Sequence, residues 1–129
     1  MDLKIKVKKT KSDNYIISLI GSLDTETYQL LEKEIDPILK KSPKGIIVNM
    51  QRLDYISSIG LGLLFKAKKD MDEKGGTLII ANLKPDIKRI FEAIKAVPEM
   101  FFATIESPDE YLDEYIAGIY KEGRKTDKK

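Results

Sequence analysis

The 129-residue sequence contains neither cysteine nor histidine. Without cysteine there is no disulfide framework, no thiolate nucleophile and no cysteine-based metal site, a composition that suits a reducing cytosol. Without histidine the most common general base and the most common metal ligand are missing, which excludes Ser-His-Asp hydrolysis and most zinc chemistry. Catalysis would have to rest on carboxylates, lysine or tyrosine alone, and the expectation is a protein that is not an enzyme. A Gly-x-Gly-x-x-Gly turn and a Walker lysine loop are also lacking, which argues against a flavodoxin-shaped nucleotide enzyme, so no cofactor is expected. No apolar run approaches the roughly 20 residues needed to span a bilayer. The first residues read as a strand and not as a charged leader, so the expected location is the cytoplasm with no membrane partner. Charge of one sign is not in excess either: 23 Lys and Arg face 21 Asp and Glu, a formal net charge of +2. Such a balance leaves no strong phosphate footprint and argues against a direct nucleic-acid partner.

What is present is one domain's worth of patterned apolar residues, 42% of the chain. Leu3, Ile5 and Val7 alternate with Lys4, Lys6 and Lys8, the period of a half-buried edge strand. Ser12-Asp13-Asn14 is the turn to a second strand, Tyr15 to Ile20, so two antiparallel strands open the fold. Asp24 suits a helix cap, and Tyr28, Leu31, Ile35 and Ile38 follow at helical spacing, with Pro37 expected to loosen the last turns. Ile46-Ile47-Val48 is a consecutive apolar run of the kind found in strands buried on both faces, followed by a polar stretch from Asn49 to Tyr55. Ser57-Ser58 then starts a helix whose expected inward stripe is Ile59, Leu63, Ala67 and Met71 and which Gly75-Gly76 ends. Thr77 to Ala81 is a second buried strand, making a βαβ unit with parallel strands. Pro85 opens a helix carrying Ile87, Ile90, Phe91 and Ile94, Phe101 to Thr104 is a short last strand, and Ser107-Pro108-Asp109-Glu110 begins a fourth helix with Tyr111, Tyr115 and Ile119 inward. Residues 1–120 thus form one α/β domain, a mixed sheet of four or five strands with four helices mainly on one face. Residues 121–129 are a basic tail expected to be disordered.

The informative segment runs from Leu53 to Leu64, after a buried parallel strand, at the edge where open α/β sheets meet ligands and partners. Spacing alone makes Ser57 an N-cap and Ser58 a first-turn residue, and nothing in periodicity reveals a switch. Gly60 and Gly62, however, both sit early in the helix, where each costs up to about 1 kcal/mol relative to alanine. Either they bare the backbone for a partner or a phosphate, or they pack against the sheet. Asp24 reads as a helix cap and Asp54 as a loop brace. Leu61, Leu64 and Phe65 fall off the inward stripe and are expected on or beside a partner surface.

At these residues the sequence resembles the STAS domains, and within them the anti-sigma factor antagonists. Gly21-Ser22-Leu23-Asp24 is similar to the family's Gly-x-Leu-Asp turn, Ile46-Ile47-Val48-Asn49-Met50 to its central strand, and Tyr55-Ile56-Ser57-Ser58-Ile59-Gly60-Leu61-Gly62 to its signature loop and helix start. Gly75-Gly76 before a strand and Pro85 opening a helix fit in order. The resemblance implies a STAS fold and a serine, Ser58, that a partner kinase phosphorylates, the kinase being the anti-sigma factor itself. It implies that the unphosphorylated protein, a monomer when alone, sequesters that partner and frees a sigma factor. The expected partner surface comprises Asp24, Asp54, Tyr55, Ser57, Ile59, Gly60, Leu61, Gly62, Leu64 and Phe65; Asp24 and Asp54, if they lie near Ser58, would help to position the reacting hydroxyl. Two departures stand out. Ser57 occupies the place where many members carry aspartate, which makes it an alternative acceptor, and Ile59 replaces a residue that is usually small. The alternative within the family is a scaffold or transporter-regulating subunit without a cognate serine kinase.

Overall fold

The computed structural model describes residues 2–94 and 102–103. The elements follow the chain as β1 (Leu3–Lys9), β2 (Tyr15–Leu23), α1 (Tyr28–Lys40), β3 (Gly45–Ile56), α2 (Ser58–Glu73), β4 (Thr77–Ala81), α3 (Pro85–Ile94) and β5 (Phe102–Ala103). They form a mixed five-stranded sheet in the order β1-β2-β3-β4-β5. β1 lies antiparallel to β2, and every later pair is parallel. The opening hairpin and the parallel βαβ unit are therefore as the sequence implies. The fourth helix expected from Ser107 and the basic tail lie outside the described residues.

The three described helices share one core with one face of the sheet. Leu31, Ile35 and Ile38 of α1, Leu61, Leu64, Ala67 and Met71 of α2, and Ile87 and Phe91 of α3 join Ile17, Leu19, Val48 and Ile80 in a single buried cluster. Alternation sends Ile16, Ile47 and Ile79 to the opposite face, where they too are buried, so the central strands are apolar on both sides. Lys4, Lys6 and Lys8 of β1 stay exposed. α1 continues through Pro37 to Lys40. At the end of α2 the N–H groups of Gly75 and Gly76 bond to the carbonyls of Asp72 and Met71, which closes the last turn before β4.

The central strand differs from the sequence reading. β3 does not end with the apolar run at Val48 but continues through the polar stretch to Ile56. Two irregularities in its pairing with β2 explain why the pattern hides this: the register shifts between Ser18 and Ile20 and again between Gly21 and Ser22. Each shift breaks the period of two, so the inward residues of the second half, Met50, Leu53 and Ile56, fall three apart. Gly21 sits at the second irregularity with φ +107, and a Cβ there would meet the Asp2 backbone oxygen at 2.2 Å. Only glycine fits a position with both features.

Candidate functional site

The parallel strands β2, β3 and β4 deliver three chain segments to one edge of the sheet: Asp24 after β2, Ser57-Ser58 after β3 and Lys84 after β4. The first two are joined directly. The Ser57 N–H donates to the Leu23 carbonyl at 2.9 Å. One turn into the helix, Gly60 presses on the same residue, so that a Cβ at Gly60 would lie 2.7 Å from Leu23 Cγ and 3.1 Å from its carbonyl oxygen. The start of α2 is thereby fixed against the end of β2.

Ser57 is the N-cap of α2, with extended backbone (φ −94, ψ 169), and its hydroxyl oxygen accepts the Gly60 N–H at 3.4 Å. That bond satisfies one of the donors every helix start leaves open. Ser58 is the first helical residue and is exposed, whereas Ser57 is half-buried. Close to Ser58 in the chain are two exposed large apolar residues, Tyr55 at 46% and Ile59 at 38% exposure.

Asp24 braces the turn before α1. Its carboxylate accepts the N–H groups of Glu26 at 2.9 Å and Thr27 at 3.1 Å, while Thr27 Oγ1 accepts the Asp24 N–H at 2.9 Å and donates to the Ser22 carbonyl at 2.7 Å. The exchange between Asp24 and Thr27 has the form of a capping box, one turn ahead of the regular helix. Asp54, exposed on β3, is paired with Lys84, whose ammonium donates to its carboxylate. Asp54 thus ties the β3 edge to the loop that enters α3.

The two glycines separate into different roles. Gly60 is buried and packs against the sheet, whereas Gly62 is exposed and a Cβ there would meet nothing within 4 Å. Leu61, Leu64 and Phe65 are expected on or beside a partner surface, and burial takes the first two off it. Leu61 and Leu64 are buried in the core, and Phe65 is half-buried, edge-on to Phe91 with ring centroids 5.9 Å apart. Ile59, expected inward, is the residue that faces out. The reason is helical geometry: residues 59 and 71 are twelve apart, which rotates them about 120° from one another, whereas 60, 64, 67 and 71 stay within one narrow stripe. Glycine carries no apolar signal, so the true centre of the stripe is silent in the sequence. Two residues of the site, Thr27 and Lys84, escape sequence reading, as does the docking role of Leu23. Lys84 was open to discovery through the rule that loops after parallel strands share an edge.

A family model for the STAS domain matches residues 4–118. The chain belongs to the STAS domain family. Among curated relatives, BtrV of Bordetella bronchiseptica is 29% identical over 89 residues, 68% of this chain and 77% of BtrV. The anti-sigma-B factor antagonist of Staphylococcus aureus is 29% identical over 91 residues, 70% of this chain and 84% of its own length. Among solved structures, the unphosphorylated form of the anti-sigma factor antagonist SpoIIAA superposes with a TM-score of 0.74 at 20% identity, covering 87% of this chain and 96% of SpoIIAA. The phosphorylated form of the Bacillus protein gives 0.72 at 19% identity, covering 87% and 99%. These likenesses confirm the STAS fold, a mixed sheet with the described helices on one face.

Proposed function

We propose that this STAS domain is an anti-sigma factor antagonist controlled by phosphorylation of Ser58. Unphosphorylated, it binds an anti-sigma factor that is itself a serine kinase and so frees a sigma factor; phosphorylated, it lets the partner go. The observation that carries this reading is the contrast between two adjacent hydroxyls. Ser57 is half-buried and engaged by the Gly60 N–H, while Ser58, one residue on, is exposed at the helix start.

A phosphate on Ser58 adds roughly −1.5 to −2 charges where the helix dipole favours an anion, so the domain itself has little reason to unfold or rearrange. The contact surface changes instead. Tyr55 and Ile59, which bracket Ser58 in the chain, offer exposed apolar area, and desolvating a dianion inside an apolar contact is unfavourable. The proposed surface takes in Asp24, Asp54, Tyr55, Ser57, Ile59 and Gly62, with Phe65 at its margin and the buried Gly60, Leu61 and Leu64 supporting it from beneath. The protein acts by binding and not by catalysis, as a cytoplasmic monomer until it meets its partner, and it touches neither nucleic acid nor membrane. No helix among the described residues is long and apolar enough to cross a membrane.

Incubation with candidate kinase-type anti-sigma factors and ATP, followed by mapping of phosphoserine, tests the reading. Phosphate on Ser58 supports it. Phosphate on Ser57 alone overturns the residue assignment, and the absence of any phosphoserine with every kinase leaves the scaffold or transporter-regulating alternative in its place.

A further inference from the structure

A second site lies at the first irregularity of β3, away from Ser57 and Ser58. Across the three strands Lys6 pairs with Ser18 and Ser18 with Asn49, and in the next row Lys4 pairs with Ile20 and Ile20 with Arg52. Between the rows β2 contributes Leu19 alone while β3 contributes Met50 and Gln51, so the two rows spread and Arg52 comes to the same face as Asn49. The result is a cleft of about 140 Å³ lined by Lys6, Ser18, Leu19, Ile20, Asn49, Gln51 and Arg52.

The lining is one-sided in charge, and Ile20 adds an apolar wall. It holds two cations and no carboxylate, and among the described residues neither Lys6 nor Arg52 has an ion-pair partner. Asn49 Oδ1 already accepts the Gln51 N–H at 3.2 Å and Asn82 Nδ2 at 3.1 Å, which fixes the carboxamide and leaves its own NH₂ as a donor. The volume is well below the roughly 300 Å³ at which pockets for drug-sized molecules begin, and well above the roughly 30 Å³ that one water occupies. From this we infer that the cleft binds a small tetrahedral oxyanion of the phosphate class, gripped by the Arg52 guanidinium and the Lys6 ammonium, with Ser18 and Asn49 donating to its remaining oxygens. Arginine suits this task because its fork of N–H groups matches two oxygens at once. The site uses no residue of the Ser58 surface and stands whether or not the phospho-switch holds.

The test is a titration of the full chain, followed by amide ¹⁵N–¹H spectra, with inorganic phosphate at constant ionic strength and chloride as the balancing salt. Saturable shifts confined to residues 18–20 and 49–52 are expected, with binding at least fivefold weaker in Arg52→Gln and in Lys6→Gln and unchanged in Ser58→Ala. A parallel titration with a nucleoside monophosphate separates the sources: tighter binding assigns the cleft to a phosphoryl group on a larger ligand, equal binding to the free anion. Shifts that chloride reproduces, or an affinity that neither substitution changes, overturn the inference. Should Arg52→Gln not fold, Lys6→Gln on the exposed edge strand decides alone.

Discussion

Ser57 and Ser58 differ by one position along the chain and by what their hydroxyls touch, and that difference sets what each substitution should do. Ser57→Ala removes the cap that accepts the Gly60 N–H and is expected to lower stability by about 0.5–2 kcal/mol in denaturant unfolding. Ser58→Ala removes an exposed hydroxyl with no folding role, so stability should stay within about 1 kcal/mol of the parent. That variant should also still bind the anti-sigma partner. Ser58→Asp places a fixed charge at the contact and should fold normally yet bind at least about tenfold more weakly, a loss of about 1.4 kcal/mol. Titration calorimetry with the purified partner, alongside circular dichroism melts, reads both properties. Parent-like binding by Ser58→Asp together with weakened binding by Ser57→Asp would move the acceptor to Ser57.

Helix α2 and strand β3 mark where the sequence is legible and where it is not. The apolar run at residues 46–48, the capping serine and the Gly75-Gly76 stop are local signals found where the sequence puts them, whereas Asp24 braces the turn ahead of α1, whose N-cap is Thr27. The rest of β3 is illegible because its register shifts belong to the pairing with β2 and not to β3 itself. The inward face of α2 is misread for a related reason, since its centre is Gly60, whose partner Leu23 comes from another strand. The two helix glycines turn this into a paired prediction. Gly60→Ala drives a methyl into Leu23 and is expected to cost about 1–3 kcal/mol, whereas Gly62→Ala fills open space on an exposed helix and should stabilise by about 0.4–1 kcal/mol. Chemical denaturation of the two variants side by side checks the sign of each. A Gly62→Ala variant less stable than the parent would contradict the open environment at that position.

At the scale of the whole molecule, the strands are graded in protection. Ile17, Val48 and Ile80 sit in the shared core of the central strands, while β1 is an edge whose lysines face outward. Hydrogen exchange should therefore find the amides of β2, β3 and β4 opening only with global unfolding and those of β1 opening through smaller, local events. Equal protection in β1 and β3 would refute that gradient. Because the spatial order β1-β2-β3-β4-β5 is also the chain order, no strand has to be threaded between two that are already paired. Each strand therefore has as its partner in the sheet the strand next to it in the chain. The Ser58 edge is stitched by the same neighbours: Ser57, after β3, is held by the Leu23 carbonyl of β2, and Lys84, after β4, is held by Asp54 of β3, so a change at any one strand end is passed to the next.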